Sequence, residues 1–256
     1  MKKIALITGA SSGIGKEFVR AIDESMSSID EIWLVARRKD RLEELSGKLN
    51  HETRIIAGDL GNKNTVNRIA SLLKSENVRV SMLINAAGYG ILGDFTGGGR
   101  KEECGMIDIN DRALTDLCYV CIPYMHRNSR IINLASSAAF VPQPRFSVYA
   151  ASKSYVLSFS RSLNMELRDK GIYVTAVCPG PVRTEFFDVA EKYGTRKMSI
   201  KKATMTTPDV VVKQALKDSF DKKDLSIPTF YMKAFYVICR LFSHRMIMRI
   251  TKALYK

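Results

Sequence analysis

A tyrosine and a lysine stand four residues apart in the run Tyr149-Ala150-Ala151-Ser152-Lys153. On a helix that spacing puts both side chains on one face, within reach of each other. A phenol with a pKa near 10 is a poor base at neutral pH, but a neighbouring ammonium favours its ionised form. The pair is a tunable proton donor and acceptor, as general acid–base catalysis requires. Taken alone it would read as an exposed surface pair. Ser136, thirteen residues upstream of Tyr149, and Asn110 bring further polar groups to a candidate site.

A second chemistry is written near the N-terminus, where Thr8-Gly9-Ala10-Ser11-Ser12-Gly13-Ile14-Gly15 joins an apolar run to an amphipathic one. Glycine allows a tight turn and lets backbone N–H groups approach a pyrophosphate, whose charge a helix N-terminus favours. A structural turn is the plainer reading of such a loop. Placement between a strand and a helix, at the start of a βαβ unit, points instead to a nucleotide site. The spacing is TGxxxGxG, not the GxGxxG of long-chain dinucleotide folds. About 20 residues further on, where an acid would hold ribose hydroxyls, the chain reads Ala36-Arg37-Arg38-Lys39. An arginine there accommodates a 2′-phosphate, which predicts NADP(H) with Arg37 as the main contact. The competing reading is an exposed charged loop, since Asp40 follows.

These groups need a scaffold, and the hydrophobic pattern supplies one. Short apolar runs at Lys3–Thr8, Glu31–Ala36, Arg54–Ala57, Val80–Asn85, Arg130–Ala135 and Ile172–Cys178 read as strands. Helix-period segments separate them at Ile14–Glu24, Lys39–Leu49, Lys63–Ser75, Asp111–Met125 and Ser152–Lys170. Continuous apolar strands alternating with helices predict an α/β fold with one doubly wound parallel sheet, buried on both faces. Residues 1–228 form the expected domain, including a substrate loop at 181–208 that carries Arg196, Lys197, Lys201 and Lys202. Residues 229–256 form a basic helical extension.

Further runs arrive in a telling order. Asp59 follows the third strand, Asn85-Ala86-Ala87-Gly88 the fourth, and Asn110 closes Ile107-Asp108-Ile109-Asn110. Ser136 ends the fifth strand, and Pro179-Gly180 follows the sixth, with Val182 and Thr184 just beyond. Together with the Gly-rich loop and Tyr149/Lys153, these resemble the short-chain dehydrogenase/reductase family over about residues 3 to 185. Asn85-Ala86-Ala87-Gly88 departs from the family's NNAG by one alanine. The resemblance implies a Rossmann fold and an oxidoreductase that interconverts carbonyl and alcohol. It implies a catalytic set of Asn110, Ser136, Tyr149 and Lys153, with Ser136 rather than Ser137 on the substrate oxygen. Lys153 would also hold the nicotinamide ribose, and Asn110 a water that links Lys153 to solvent. Cofactor contacts would come from Gly9, Ser11, Ser12, Gly13, Ile14, Gly15, Asp59, Asn85, Ala87, Tyr149, Pro179, Gly180, Val182 and Thr184. A homodimer or homotetramer is the family's habit. A nucleotide-binding regulator without turnover, or a lipid or steroid reductase on a membrane surface, is the alternative.

Composition is that of a globular chain: 256 residues, 46% hydrophobic and 26% charged, which excludes disordered and disulfide-rich classes. Five scattered cysteines, with Cys118 and Cys121 inside a probable helix, read as reduced thiols; no metal site is expected. The apolar stretch Ile4–Ile7 is too short for a signal peptide, and no run is long enough to span a bilayer, so a cytoplasmic protein is expected.

The net charge of +14 concentrates late: residues 190–256 hold 15 Lys or Arg against 5 Asp or Glu. In the tail, Arg245, Arg249, Lys252 and Lys256 share one helical face, and Ile247, Ile250 and Leu254 another. Such a helix can lie on an anionic membrane surface. Packing on its own substrate pocket or on a subunit partner is the plainer alternative. Basic charge without a matching fold motif does not predict nucleic-acid binding. Phe140, Val141, Pro142, Phe146, Phe186 and Phe187 flank the site and are expected to line an apolar pocket for a small hydrophobic substrate.

Overall fold

A computed structural model describes residues 1–97, 99–195 and 205–251. Seven strands form one sheet: β1 (Lys2–Thr8), β2 (Glu31–Ala36), β3 (Glu52–Ala57), β4 (Val78–Asn85), β5 (Arg130–Leu134), β6 (Tyr173–Val177) and β7 (Leu225–Ser226). Their order is β3-β2-β1-β4-β5-β6-β7, and every pairing is parallel. The order reverses between β1 and β4, where Thr8 lies opposite Asn85. In such sheets the crevice beyond the strand ends opens at that reversal, so topology alone places a site there.

Both faces of the sheet are covered, as the unbroken apolar strands require. On one face α1 (Gly13–Ser25) buries Phe18, Val19 and Ile22 against Ala5, Ile7, Ile32 and Leu34. The helix α2 (Lys39–Ser46) adds Leu42 and Leu45 to that layer. The opposite layer begins with α3 (Lys63–Ser75), which turns Val66, Ile69 and Leu73 toward Ile4, Leu6 and Leu83.

The helix expected over Asp111–Met125 is longer and broken. Helix α4 (Arg100–Ile107) passes through a π-helical turn, Asp108–Ala113, into α5 (Leu114–Cys121). A 3-10 turn at Ile122–Tyr124 then ends it, where Pro123 lacks an N–H to donate. π turns of this kind gather at functional sites, and this one carries Asn110.

The long helix α6 (Ser147–Leu167) starts five residues before the expected Ser152. Tyr149 is thereby in its first turn. The Phe146 ring stacks on Tyr149 at 4.3 Å between centroids, a tertiary contact that no local propensity announces.

Past β6 come α7 (Phe186–Lys192), α8 (Pro208–Phe220), β7, α9 (Phe230–Leu241) and α10 (His244–Thr251). β7 went unread because it has only two residues. The described part of the tail, residues 229–251, does not stand apart from the main core: Cys239 and Ile247 are buried in it, and Phe235 and Tyr236 pack against Phe140. Among the described residues no helix is long and apolar enough to cross a membrane. Arg196, Lys197, Lys201 and Lys202 of the loop, and Lys252, Leu254 and Lys256 of the tail, lie outside the described residues, as does the Ile250 side chain.

Candidate active site

The turn after β1 is built on backbone shapes that only glycine adopts freely. Gly9 and Gly13 have φ of +67° and +54°. A Cβ at Gly9 would come within 2.9 Å of the Ala86 backbone, so the end of β4 presses directly on the turn. The Thr8 hydroxyl fixes that contact by accepting the N–H groups of Ala86 and Ala87, each at 3.0 Å. Behind the turn α1 begins at Gly13, with its N-terminus toward the cleft.

Two arginines follow β2, and the structure distinguishes them. Both line the cleft. Arg38 reaches the Gly-rich turn: its guanidinium donates to the Ser12 hydroxyl at 2.8 Å and to Ser11 at 3.2 Å. The other side of the same guanidinium pairs with Glu185 at 2.8 Å, and Arg41 holds that carboxylate at 2.6 Å. This double pairing lowers the Glu185 pKa. Asp59 lines the cleft too, with its carboxylate accepting the Gly61 N–H at 2.9 Å.

Ser136, Tyr149 and Lys153 meet on one wall of the cleft. Ser136 caps a short 3-10 turn, Ser137–Phe140, by accepting the Ala138 N–H at 3.1 Å. Tyr149 is pushed up to about 12 by burial, opposed by a hydrogen bond with Ser136. Lys153 is lowered to about 8 by burial, opposed by attraction to Asp111 and Cys178. Its ammonium lies 5.7 Å from the Tyr149 ring centroid and donates to the Leu134 carbonyl at 2.7 Å. Burial costs both charged forms, so Tyr149 stays a proton donor while Lys153 comes within reach of titration.

Asn110 and Asn85 stand behind the cleft. Asn110 is buried; its amide donates to the Tyr89 carbonyl and to the Ser152 hydroxyl, both at 3.0 Å. A Cβ on Gly88 would meet the Asn110 oxygen at 2.8 Å and the Lys153 nitrogen at 3.4 Å. Gly88 is therefore the gap between those two groups. Asn85, expected at the cofactor, is turned into the core, where its amide donates to Asn133 at 2.9 Å. Gly15, Ile14, Ala87, Pro179, Gly180, Val182 and Thr184 all line the cleft.

The cleft encloses about 370 Å³ and is floored by aromatic rings. Phe146 and Phe186 flank Tyr149, with the Phe186 ring 5.3 Å away. Phe187 and Val189 continue that wall. Phe140, Val141 and Pro142 do not line the cleft; Phe140 packs on Tyr236 at 4.9 Å. Gly90 is a requirement the sequence concealed: a Cβ there would lie 2.8 Å from the Phe146 ring and 2.9 Å from Phe186. Among the described residues no cluster has metal-binding composition.

The family pattern described as short chain dehydrogenase matches residues 3–193 of this chain. The chain belongs to that family. An uncharacterized oxidoreductase of Staphylococcus epidermidis is 30% identical over 198 residues, covering 77% of this chain and 84% of that protein. Among solved structures, a short-chain dehydrogenase from Sphingobium yanoikuyae in complex with NADPH is similar, with a TM-score of 0.78 and 28% identity. The match covers 93% of this chain and 92% of that one. A bulky-bulky ketone specific alcohol dehydrogenase from Comamonas testosteroni matches with a TM-score of 0.73 and 25% identity, over 94% and 92% of the two chains. As a short-chain dehydrogenase, the protein is an oxidoreductase.

Sequence reasoning overlooked Arg38, Gly90, Ser152 and Glu185. Arg38 had a signal, since it adjoins Arg37, but which of the two faces the Gly-rich turn depends on how the chain leaves β2. The others acquire meaning only from partners far away in sequence.

Proposed function

We propose that the protein is an NADP(H)-dependent oxidoreductase that interconverts a hydrophobic ketone or aldehyde with its alcohol. The observation that carries this reading is the convergence of Ser136, Tyr149 and Lys153 on one wall of a cleft whose other end is the Gly-rich turn. A dinucleotide fits what is present. The glycines let the turn fold tightly on itself and against the end of β4, which opens its backbone to a ligand at the N-terminus of α1, where a pyrophosphate is favoured. Gly9, Ser11, Ser12, Gly13, Ile14 and Gly15 would hold the phosphates, and Asp59 and Ala87 the adenosine side. Pro179, Gly180, Val182 and Thr184 would flank the nicotinamide. Two arginines and no carboxylate at the end of β2 support the 2′-phosphate form. The NADPH held by the Sphingobium neighbour supports it as well.

A bound nicotinamide supplies or accepts the hydride at the carbonyl carbon. The chain's own residues do the rest. Ser136 donates a hydrogen bond to the substrate oxygen. Tyr149 delivers a proton to that oxygen in reduction and recovers one in oxidation. The Lys153 ammonium stabilises the tyrosinate formed, and Asn110, behind Gly88, holds the far end of the proton path. Phe146, Phe186 and Phe187 favour an apolar substrate, as does the bulky-ketone specificity of the Comamonas neighbour. Exposed Tyr119, Tyr155 and Met165 on α5 and α6 support contact with a second copy through that face.

Tyr149→Phe tests the reading. The variant should keep NADPH binding, seen by fluorescence titration, and lose carbonyl turnover by 10²-fold or more. Undiminished turnover of an accepted ketone would remove Tyr149 from the chemistry.

A further inference from the structure

Helix α9 is apolar on two opposite faces, and only one is used. At 100° per residue, Met232, Phe235, Tyr236 and Cys239 form the inner face and pack on the core. Phe230, Val237, Ile238 and Leu241 form the other with Tyr231 at its edge, and all five are solvent-exposed. Phe230 is 79% and Leu241 73% exposed. Phe242 and Met246 carry the apolar surface on beyond the helix. An amphipathic surface helix needs one apolar stripe; a second, opposite stripe is unexplained by folding.

Charge says what covers it. From residue 229 to 256 there are six Lys or Arg and no Asp or Glu. Lys233 and Arg240 lie along one flank of the outer stripe, and Arg245 and Arg249 follow on α10; all four are exposed. Among the described residues none of the four forms an ion pair, and Arg240 instead stacks on Tyr236 at 5.1 Å. A two-fold contact with another copy would bring two acid-free tails together, on chains that each carry +14. An anionic bilayer presents the complementary charge, and exposed aromatic and leucine side chains can enter its interfacial zone.

We propose that α9 and the start of α10 dock the protein on the surface of an anionic phospholipid bilayer. Phe230, Tyr231, Ile238 and Leu241 enter the interface, and Lys233, Arg240, Arg245 and Arg249 engage the lipid phosphates. The inner face of α9 holds Phe140 and lays Met232 against Gly180 at the cleft wall. The docked surface is thus about one helix diameter, roughly 10 Å, from the candidate active site. Docking does not depend on the reaction assigned to that site, because vesicle binding is read without turnover.

The experiment is flotation of the full-length protein with vesicles of phosphatidylcholine alone or in equal parts with phosphatidylglycerol. The wild type should float with the anionic vesicles only, and added salt should release it. Leu241→Glu should abolish flotation while leaving thermal unfolding unchanged, since the side chain touches little protein. Arg240→Gln with Arg245→Gln should weaken partitioning about 25-fold, at roughly fivefold per cation. A wild type that stays off phosphatidylglycerol vesicles, or a Leu241→Glu variant that floats as well as its parent, overturns the proposal. So does a dimer in gel filtration that Leu241→Glu dissociates, because the stripe would then be a subunit contact.

Discussion

Replacing Lys153 by methionine should stabilise the fold while ending turnover, and the two effects have one cause. Lys153 is 5% exposed, and burial holds its pKa at about 8 against the ordinary 10.5. Below pH 8 the native state carries an ammonium that the unfolded chain keeps in water. By linkage this costs about 3 kcal/mol at pH 7.

Methionine has a similar length and no charge. It forfeits the bond to the Leu134 carbonyl at 2.7 Å, a loss of about 1 kcal/mol. The expected gain at pH 7 is therefore about 2 kcal/mol, or roughly 5 °C in Tm for a chain of this size. The sign with pH follows from the lowered folded pKa. Between about 8 and 10.5 the unfolded chain binds more protons than the native one, so wild-type stability rises with pH across that window. Near pH 9.5 the cost has fallen by about 2 kcal/mol, and the advantage of Lys153→Met should have nearly vanished. Urea unfolding of both proteins without nucleotide, at pH 7 and about 9.5, measures the difference; both carry Asp111→Asn, because the Asp111 carboxyl is raised to about 7 and is coupled to Lys153, so that its titration would otherwise differ between them. An equal gap at both pH values, or a less stable variant at pH 7, would refute the idea that this ammonium is held at a cost for catalysis.

Two further outcomes follow from the cleft. Arg38→Ser should weaken NADPH binding by about 10- to 100-fold and NADH binding little, as expected for one charged contact to the 2′-phosphate. Glu185→Gln should do the opposite by up to about fivefold, because both of its ion pairs are partly exposed and modest; equal effects on the two nucleotides would exclude a 2′-phosphate role. Gly90→Ala should raise KM for bulky carbonyls and leave NADPH affinity unchanged, since the added methyl presses on the Phe146 and Phe186 rings. A variant with unaltered KM would place the substrate elsewhere.

Much of the architecture was legible because its signals are local. Apolar strands of four to eight residues, glycines in a strand-to-helix turn and a helical i,i+4 pair all act through neighbours along the chain. What could not be read there lies where distant contacts intervene. The start of α6 at Ser147 follows the stacking of Phe146 on Tyr149. The π turn at Asp108–Ala113 turns Asn110 toward Tyr89 and Ser152. Asn85 belongs to the core because Asn133, on the next strand, is there to pair with its amide.

The order of residue types therefore determined the layers, the strand direction and the chemical repertoire of the cleft, since backbone geometry and hydrophobic period are properties of short segments. Only the packed structure decided which arginine meets the Gly-rich turn and which phenylalanines line the cleft. It also decided that α9 has a face to spare. Each of those outcomes depends on which distant side chains pack best in a shared volume, and that is set by the whole chain at once.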